Sequence, residues 1–285
     1  MVTGVVDAHM HLWQVSENDW YTALRPFAEQ AGVHDLYADF LPADYRAAAG
    51  GLPVEKFVHV SATTAARAYL DEARWVDELA DRDGLELVMI GSVDPGLDRD
   101  ALLADLEQQA SRARFRGIRV LSGLEPESGA AATVLSWLQR HGYVFDLVTG
   151  PEDMHRWLDV LAEHPQLPVV LEHTGWPSTT DNDGFRAWQE AIRHCAERPG
   201  STCKVTGLGM TTTDLSVDVL RPWVETAIAE FGWDRVMFGS NMPIETVAGS
   251  YRQWIDTLAV LLGEASAAEQ QSFYTDTAVR TYRIR

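Results

Sequence analysis

Eight short β-branched runs, each followed by an amphipathic stretch, constrain this chain more than any other feature. The runs are Gly4–His9, Lys56–Ser61, Glu86–Val93, Phe115–Leu121, Tyr143–Val148, Pro168–His173, Ser201–Thr206 and Arg235–Ser240. Several are apolar on both faces, as in Leu87-Val88-Met89-Ile90 and Pro168-Val169-Val170-Leu171. Strands of a parallel sheet covered on both sides read this way. The clearest helical pattern is Ser216–Phe231, where Leu220, Trp223, Val224, Ala227, Ile228 and Phe231 make one apolar stripe at helical spacing. Ser216 is placed to cap its start and Gly232 to end it. Asp98–Arg114, Pro151–His164 and Thr246–Gly263 repeat the pattern.

Eight strand-then-helix units predict a closed (β/α)8 barrel in a single domain spanning residues 1–285. An open doubly wound sheet is the alternative, weakened by the lack of a glycine-rich phosphate loop after the first run. The 12–53 connection is long and carries Trp13, Trp20, Phe27 and Tyr37. It reads either as a lid over the barrel mouth or as an extra helical layer on the wall.

Charge narrows the partners. The 285 residues hold 42 Asp plus Glu against 23 Lys plus Arg, a net charge of −19. Such a surface repels phosphate backbones and anionic membranes, so neither nucleic acid nor a membrane is expected as partner. The expected partner is a small molecule; an anionic one needs local basic groups to hold it. Cys195 and Cys203 form no framework, and the first residues carry no export signal. A cytoplasmic protein with reduced thiols is the expectation. A homo-oligomer is left open.

In such a barrel the strand C-terminal ends build the active site. The first run ends in Asp7-Ala-His9-Met-His11, and regular alternation sets Asp7, His9 and His11 on one face. Two imidazoles there are a common start for a metal site, although His-x-His alone is a weak motif. His59 and Ser61 end the second run as a polar floor for substrate, or His59 is a hydrogen-bonded core residue. Arg119 ends the fourth and, if buried, needs a carboxylate partner, from the substrate or from the protein. Asp146, on the fifth, is either that partner or catalytic.

His173 ends the sixth run, placed to bind metal, transfer a proton or polarise a carbonyl; alternation turns Glu172 away from it. Lys204 on the seventh either holds a substrate anion or pairs with a rim carboxylate. Asn241 follows the eighth, where its amide orients a ligand but cannot serve as a base.

The motifs Val6-Asp-Ala-His-Met-His-Leu-Trp13, Gly117-Ile-Arg119, Leu171-Glu-His-Thr-Gly175, Lys204-Val-Thr-Gly-Leu208 and Phe238-Gly-Ser-Asn-Met-Pro243 occur in order along the chain. Together with the tail Ala278–Arg283, they resemble the amidohydrolase-related (type 2) branch of the metal-dependent hydrolases. The nearest likeness is to lactonases acting on pyrone dicarboxylates and sugar lactones. The resemblance implies His9, His11 and His173 as ligands of one divalent metal, zinc or manganese, or a metal-free site. It implies Arg119 and Lys204 as substrate-holding groups. The family usually has Asp where this chain has Asn241, which removes the obvious base. In a metal-free site Glu245 and Asp7 are the candidate bases.

The expected activity is hydrolysis of a small, carboxylated lactone or related cyclic ester. A metal-dependent decarboxylase on the same scaffold is the second reading. A non-catalytic binding barrel that has lost its base is the third.

Overall fold

A computed structural model of the protein describes residues 4–285; Met1, Val2 and Thr3 lie outside the described residues. Eight parallel strands run in chain order: β1 (Val5–Met10), β2 (Val54–Val60), β3 (Glu86–Gly91), β4 (Phe115–Arg119), β5 (Val144–Leu147), β6 (Val169–Leu171), β7 (Ser201–Val205) and β8 (Val236–Phe238). Each pairs with the next. The ring closes at its C-terminal rim. There Met10 bridges Met242, Asn241 N donates to His9 O at 2.7 Å, and His11 N donates to Met242 O at 2.8 Å. The fold is a single-domain (β/α)8 barrel, and each sequence-predicted run contains or overlaps one of its strands.

The helices are α1 (Leu24–Ala31), α2 (Pro42–Ala49), α3 (Tyr69–Asp83), α4 (Arg99–Ala110), α5 (Gly129–His141), α6 (Pro151–Ala162), α7 (Asn182–Glu197), α8 (Gly209–Thr212), α9 (Val217–Phe231), α10 (Tyr251–Leu261), α11 (Ala267–Gln271) and α12 (Thr277–Tyr282). Leu220, Trp223, Val224, Ala227 and Phe231 of α9 are buried, as their spacing predicts. Ser216 precedes that helix, but its hydroxyl makes no capping bond. The last large helix starts at Tyr251 rather than Thr246, because Ile244–Val247 forms a separate 3₁₀ turn and Ser250 caps the helix by accepting from Gln253 N.

Two apolar layers result. The larger lies between strands and helices and includes the fully buried Trp188 and Trp254. Burying a side chain of this size contributes roughly 2–3 kcal/mol. The smaller layer fills the barrel with Val6, Ala8, Val58, Val60, Val88 and Ile90, and the C-terminal segment adds Tyr282 and Ile284 to it.

The two layers show which face each strand residue occupies. On β1, Val6 and Ala8 point inward, whereas Val5 and Met10 point to the helices. A register shift between Asp7 and Met10 inserts one extra residue against β2. This bulge breaks the alternation that was expected to align Asp7 with His9 and His11. Asp7 takes the helix side, where Tyr45 of α2 donates to its Oδ2 at 2.6 Å and Ser240 N donates to its Oδ1 at 2.9 Å. His9 turns inward.

The 12–53 segment does two things. Trp13, Tyr21, Leu24 and Phe27 come over the barrel mouth, while Tyr45 and Ala49 of α2 join the layer on the barrel wall.

Candidate active site

At the C-terminal ends of the strands, six buried polar side chains converge. Lys204 Nζ donates to Asp146 Oδ2 at 2.6 Å and Glu172 Oε1 at 3.3 Å, and lies 3.4 Å from His9 Nδ1. His9 Nδ1 is 3.1 Å from Glu172 Oε1. Arg119 Nη1 donates to Glu172 Oε2 at 3.5 Å, and its Nη2 donates to the Ser61 carbonyl. His173 Nε2 stands 3.7 Å from Glu172 Oε2.

Glu172 is therefore the hub, which the sequence reading placed on the wrong face. The smaller layer holds Val144 of β5 and Val170 of β6, so alternation carries Asp146 and Glu172 inward. His173 follows Glu172 into the site only because the chain turns there. His173, Thr174 and Trp176 hold φ values of 49°, 52° and 39°, a left-handed region costly for side-chain-bearing residues. Three hydrogen bonds hold the turn. Thr174 Oγ1 donates to Lys204 O and Thr206 O, both at 3.3 Å, and Trp188 Nε1 donates to Thr174 O at 2.7 Å. Gly207 makes room: a Cβ there would sit 2.2 Å from His173 Nδ1.

Burial sets the protonation states. His11 is pushed down to about 3, by burial first and then by Arg119. His173 is pushed down to about 4 by burial, against the pull of Glu172. His9 is lowered as well, again mainly by burial. All three imidazoles are neutral near pH 7. Burial works to raise Glu172, but its contact with His9 and the charges of Lys204 and Arg119 outweigh it and hold the carboxyl well below its usual range.

These atoms suit a cation. One ligand atom each from His9, Glu172 and His173 lie within 4.8 Å of one another. His9 Nε2 and His173 Nδ1 are buried with no hydrogen-bond partner. Two neutral imidazoles and one carboxylate form a donor set typical of zinc or manganese. Glu172 joins the expected His9 and His173 in this group. His11 Nδ1 donates to Val60 O at 2.8 Å, which leaves its Nε2 unprotonated.

Above this floor lies a cavity of about 420 Å³. His11, Arg119, His173 and Asn241 form its polar part. The other predicted residues stand elsewhere. Lys204 is sealed beneath, spanned by Asp146 and by Tyr282, whose hydroxyl donates to Asp146 at 2.9 Å. Asp146 thus partners Lys204 rather than Arg119. His59 faces α3; its Nδ1 accepts from Leu12 N at 3.2 Å and its Nε2 is 3.6 Å from Glu72. Ser61 contributes its carbonyl to Arg119 while its hydroxyl faces Thr63 at 3.5 Å.

Glu245 does not line the cavity. It accepts from Gly209 N at 2.7 Å and from Asn241 Nδ2 at 2.9 Å, and burial pushes it up to about 7 against those bonds. Asn241 gives one N–H to Glu245, which leaves its Oδ1 and its second N–H free of protein partners.

The fold gathers this cluster at the C-terminal rim of the barrel, the end where enzymes of this architecture carry their active sites. The chain belongs to the amidohydrolase family, whose model matches residues 6–284. An L-fucono-1,5-lactonase of Burkholderia multivorans is 28% identical over 301 residues, covering 98% of this chain and 96% of the relative. The crystal structure of an amidohydrolase from Burkholderia multivorans with bound zinc superposes with a TM-score of 0.85 at 24% identity, over 99% of this chain and 100% of that one, and shows the shared fold. A 5-carboxyvanillate decarboxylase of Novosphingobium aromaticivorans with bound manganese shares the fold more distantly. Its TM-score is 0.69 at 13% identity, over 99% of this chain and 96% of that one.

Proposed function

We propose that this protein is a lactonase that opens a cyclic ester by water attack in the cavity above His173 and Arg119. The observation that carries the reading is the polar floor itself: neutral imidazoles, one guanidinium and one carboxamide grouped beneath a largely apolar cavity. The amidohydrolase family and its lactonase relatives agree with it. The relatives' zinc and manganese sites are consistent with a divalent cation held by His9, Glu172 and His173. Such a cation, when bound, would supply Lewis acidity and lower the pKa of water.

The chain's own groups have definite tasks. Asn241 Oδ1 accepts a hydrogen bond from the attacking water and aims it. Arg119 has donors beyond those spent on Glu172 and Ser61, and these face the lactone carbonyl, where negative charge develops. With its lone pair free of a cation, His173 is neutral and able to accept the water proton and return it to the ring oxygen as the C–O bond breaks; with a cation bound it serves as a ligand instead. The product is a hydroxy acid. Asp7 and Glu245, the bases expected for a metal-free route, both lie off the cavity, so neither reaches a bound lactone. The segment carrying Trp13, Tyr21, Leu24 and Phe27 lines the mouth of the site with apolar surface.

Among the described residues no helix is long and apolar enough to cross a membrane. Cys195 and Cys203 are buried free thiols, which supports a reducing, cytoplasmic setting.

Product analysis tests the reading. A lactone incubated in ¹⁸O-water should yield a hydroxy acid labelled in its carboxylate. Release of CO₂ from a carboxylated substrate would favour the decarboxylase reading. Tight binding of lactones with no turnover would favour the binding barrel.

A further inference from the structure

We infer that the substrate is an uncharged lactone bearing an alkyl or aryl group, rather than a polyhydroxylated sugar lactone or a carboxylated pyrone. This rests on the lactonase reading and narrows it.

Charge is the first argument. The sequence suggested that Arg119 and Lys204 hold a substrate carboxylate. In the folded chain both are already neutralised: Lys204 by Asp146 and Glu172, Arg119 by Glu172. Formally two cations meet two anions, so the chain's own side chains leave no spare positive charge for a substrate carboxylate. Among the described residues lining the cavity, Arg119 is the only cationic side chain. Arg25, on the roofing helix α1, stacks on Tyr37 and does not line the space. An open groove of about 600 Å³ adjoins across Leu121, Trp176 and Met210, and the charge it adds is the acidic Glu152. The protein as a whole carries −19, which opposes anion capture further.

The walls supply the second argument. Above the floor the cavity is built from Trp13, Leu24, Phe27, Trp176, Met210 and Ile244. Phe27 is 37% exposed and the roof around it is apolar. A sugar lactone presents several hydroxyls, each needing a partner once desolvated, at about 1–3 kcal/mol if left unpaired. Beyond the floor, the side-chain polar groups of the described lining residues are the hydroxyls of Tyr21 and Thr64 and the indole N–H groups of Trp13 and Trp176; the Tyr21 hydroxyl already donates to Glu72 at 3.4 Å and Trp13 Nε1 to Ala38 O at 2.9 Å. An alkyl or aryl substituent on the lactone ring instead meets flat aromatic and aliphatic surface.

The test is a kcat/KM panel on the full-length protein. It compares unsubstituted δ-valerolactone, its 5-alkyl homologues up to δ-decanolactone, dihydrocoumarin, a six-carbon aldonolactone and 2-pyrone-4,6-dicarboxylate. The inference predicts a rise of roughly fourfold per added methylene until the cavity fills. It also predicts the aldonolactone and the dicarboxylate at the bottom of the order. Faster turnover of either would overturn the inference while leaving the lactonase reading intact.

If no lactone is opened, the lactonase reading fails by itself. Tryptophan-fluorescence titration with the unreactive lactams of the same series then decides the cavity's preference. Tighter binding of alkyl lactams than of the hydroxylated lactam supports it, and the reverse order refutes it. Phe27→Arg adds a cation at the exposed edge of the roof. It should lower kcat/KM for δ-decanolactone and raise it for the dicarboxylate; an unchanged ratio would also count against the inference.

Discussion

Gly207 offers a sharp test of how the site is built. It holds φ at +71°, and a Cβ added there would lie 2.2 Å from His173 Nδ1 and 2.6 Å from its Cγ. Ordinary contact begins at 3.4 Å, so Gly207→Ala must displace the imidazole or its own backbone by about 1.2 Å. A shift of about 1 Å in a reacting group costs on the order of 10²-fold in rate. The left-handed conformation adds a cost of roughly 1–2 kcal/mol in stability. Gly84 separates the two effects, since it has φ +63° and nothing within 4 Å of its virtual Cβ. Gly84→Ala should share the stability loss and keep full activity. The assay is urea unfolding beside steady-state lactone hydrolysis for both variants. Wild-type kcat/KM in Gly207→Ala, or equal inactivation of Gly84→Ala, would refute the role given to His173.

Other predictions follow from the same geometry. Glu245→Gln keeps an acceptor for Gly209 N but turns an NH2 toward Asn241, so the Asn241 amide flips and presents NH2 to the cavity; kcat should drop roughly 10-fold with KM little changed, a loss of about 1.4 kcal/mol. The same variant has a pH signature. Wild-type Glu245 binds its proton more tightly folded, up to about 7, than unfolded, near 4.5, so its contribution to stability falls as pH rises through that window. The melting temperature of Glu245→Gln relative to wild type should therefore improve between pH 5 and pH 8. Lys204→Met leaves Asp146 buried without its cation, while Glu172 keeps Arg119, and should cost about 3–5 kcal/mol in chemical denaturation, with Asp146→Asn restoring part of it. Asn241→Asp places a second carboxyl about 2.9 Å from Glu245; the pair then shares one proton, and the pH–rate profile should gain an ionisation that wild type lacks.

The sequence made the barrel legible because parallel strands buried on both faces leave short continuous apolar runs, and all eight stand out. The rim positions His9, His11, Arg119, His173 and Asn241 were legible for a related reason: strand C-terminal ends are where such barrels do chemistry. Two local breaks in periodicity hid the rest. The β1 bulge parted Asp7 from His9, and the left-handed turn after β6 let Glu172 and its neighbour His173 enter the same site. Counting inward from Val170 would have found Glu172. The fate of the cations was hidden differently. Lys204 and Arg119 looked available because their partners, Asp146 and Glu172, sit 58 and 53 residues away in sequence. Tyr282, which closes the Asp146 contact from the barrel interior, gave no local signal at all.

On the proposed function, His173, at one mouth of the barrel, takes part in opening a lactone ring. Proton release from δ-decanolactone, followed in weakly buffered indicator solution, measures that step directly. The wild-type protein should release one acid equivalent per lactone consumed, and His173→Ala should slow this at least about 10²-fold while still folding. An undiminished rate in His173→Ala would contradict the account.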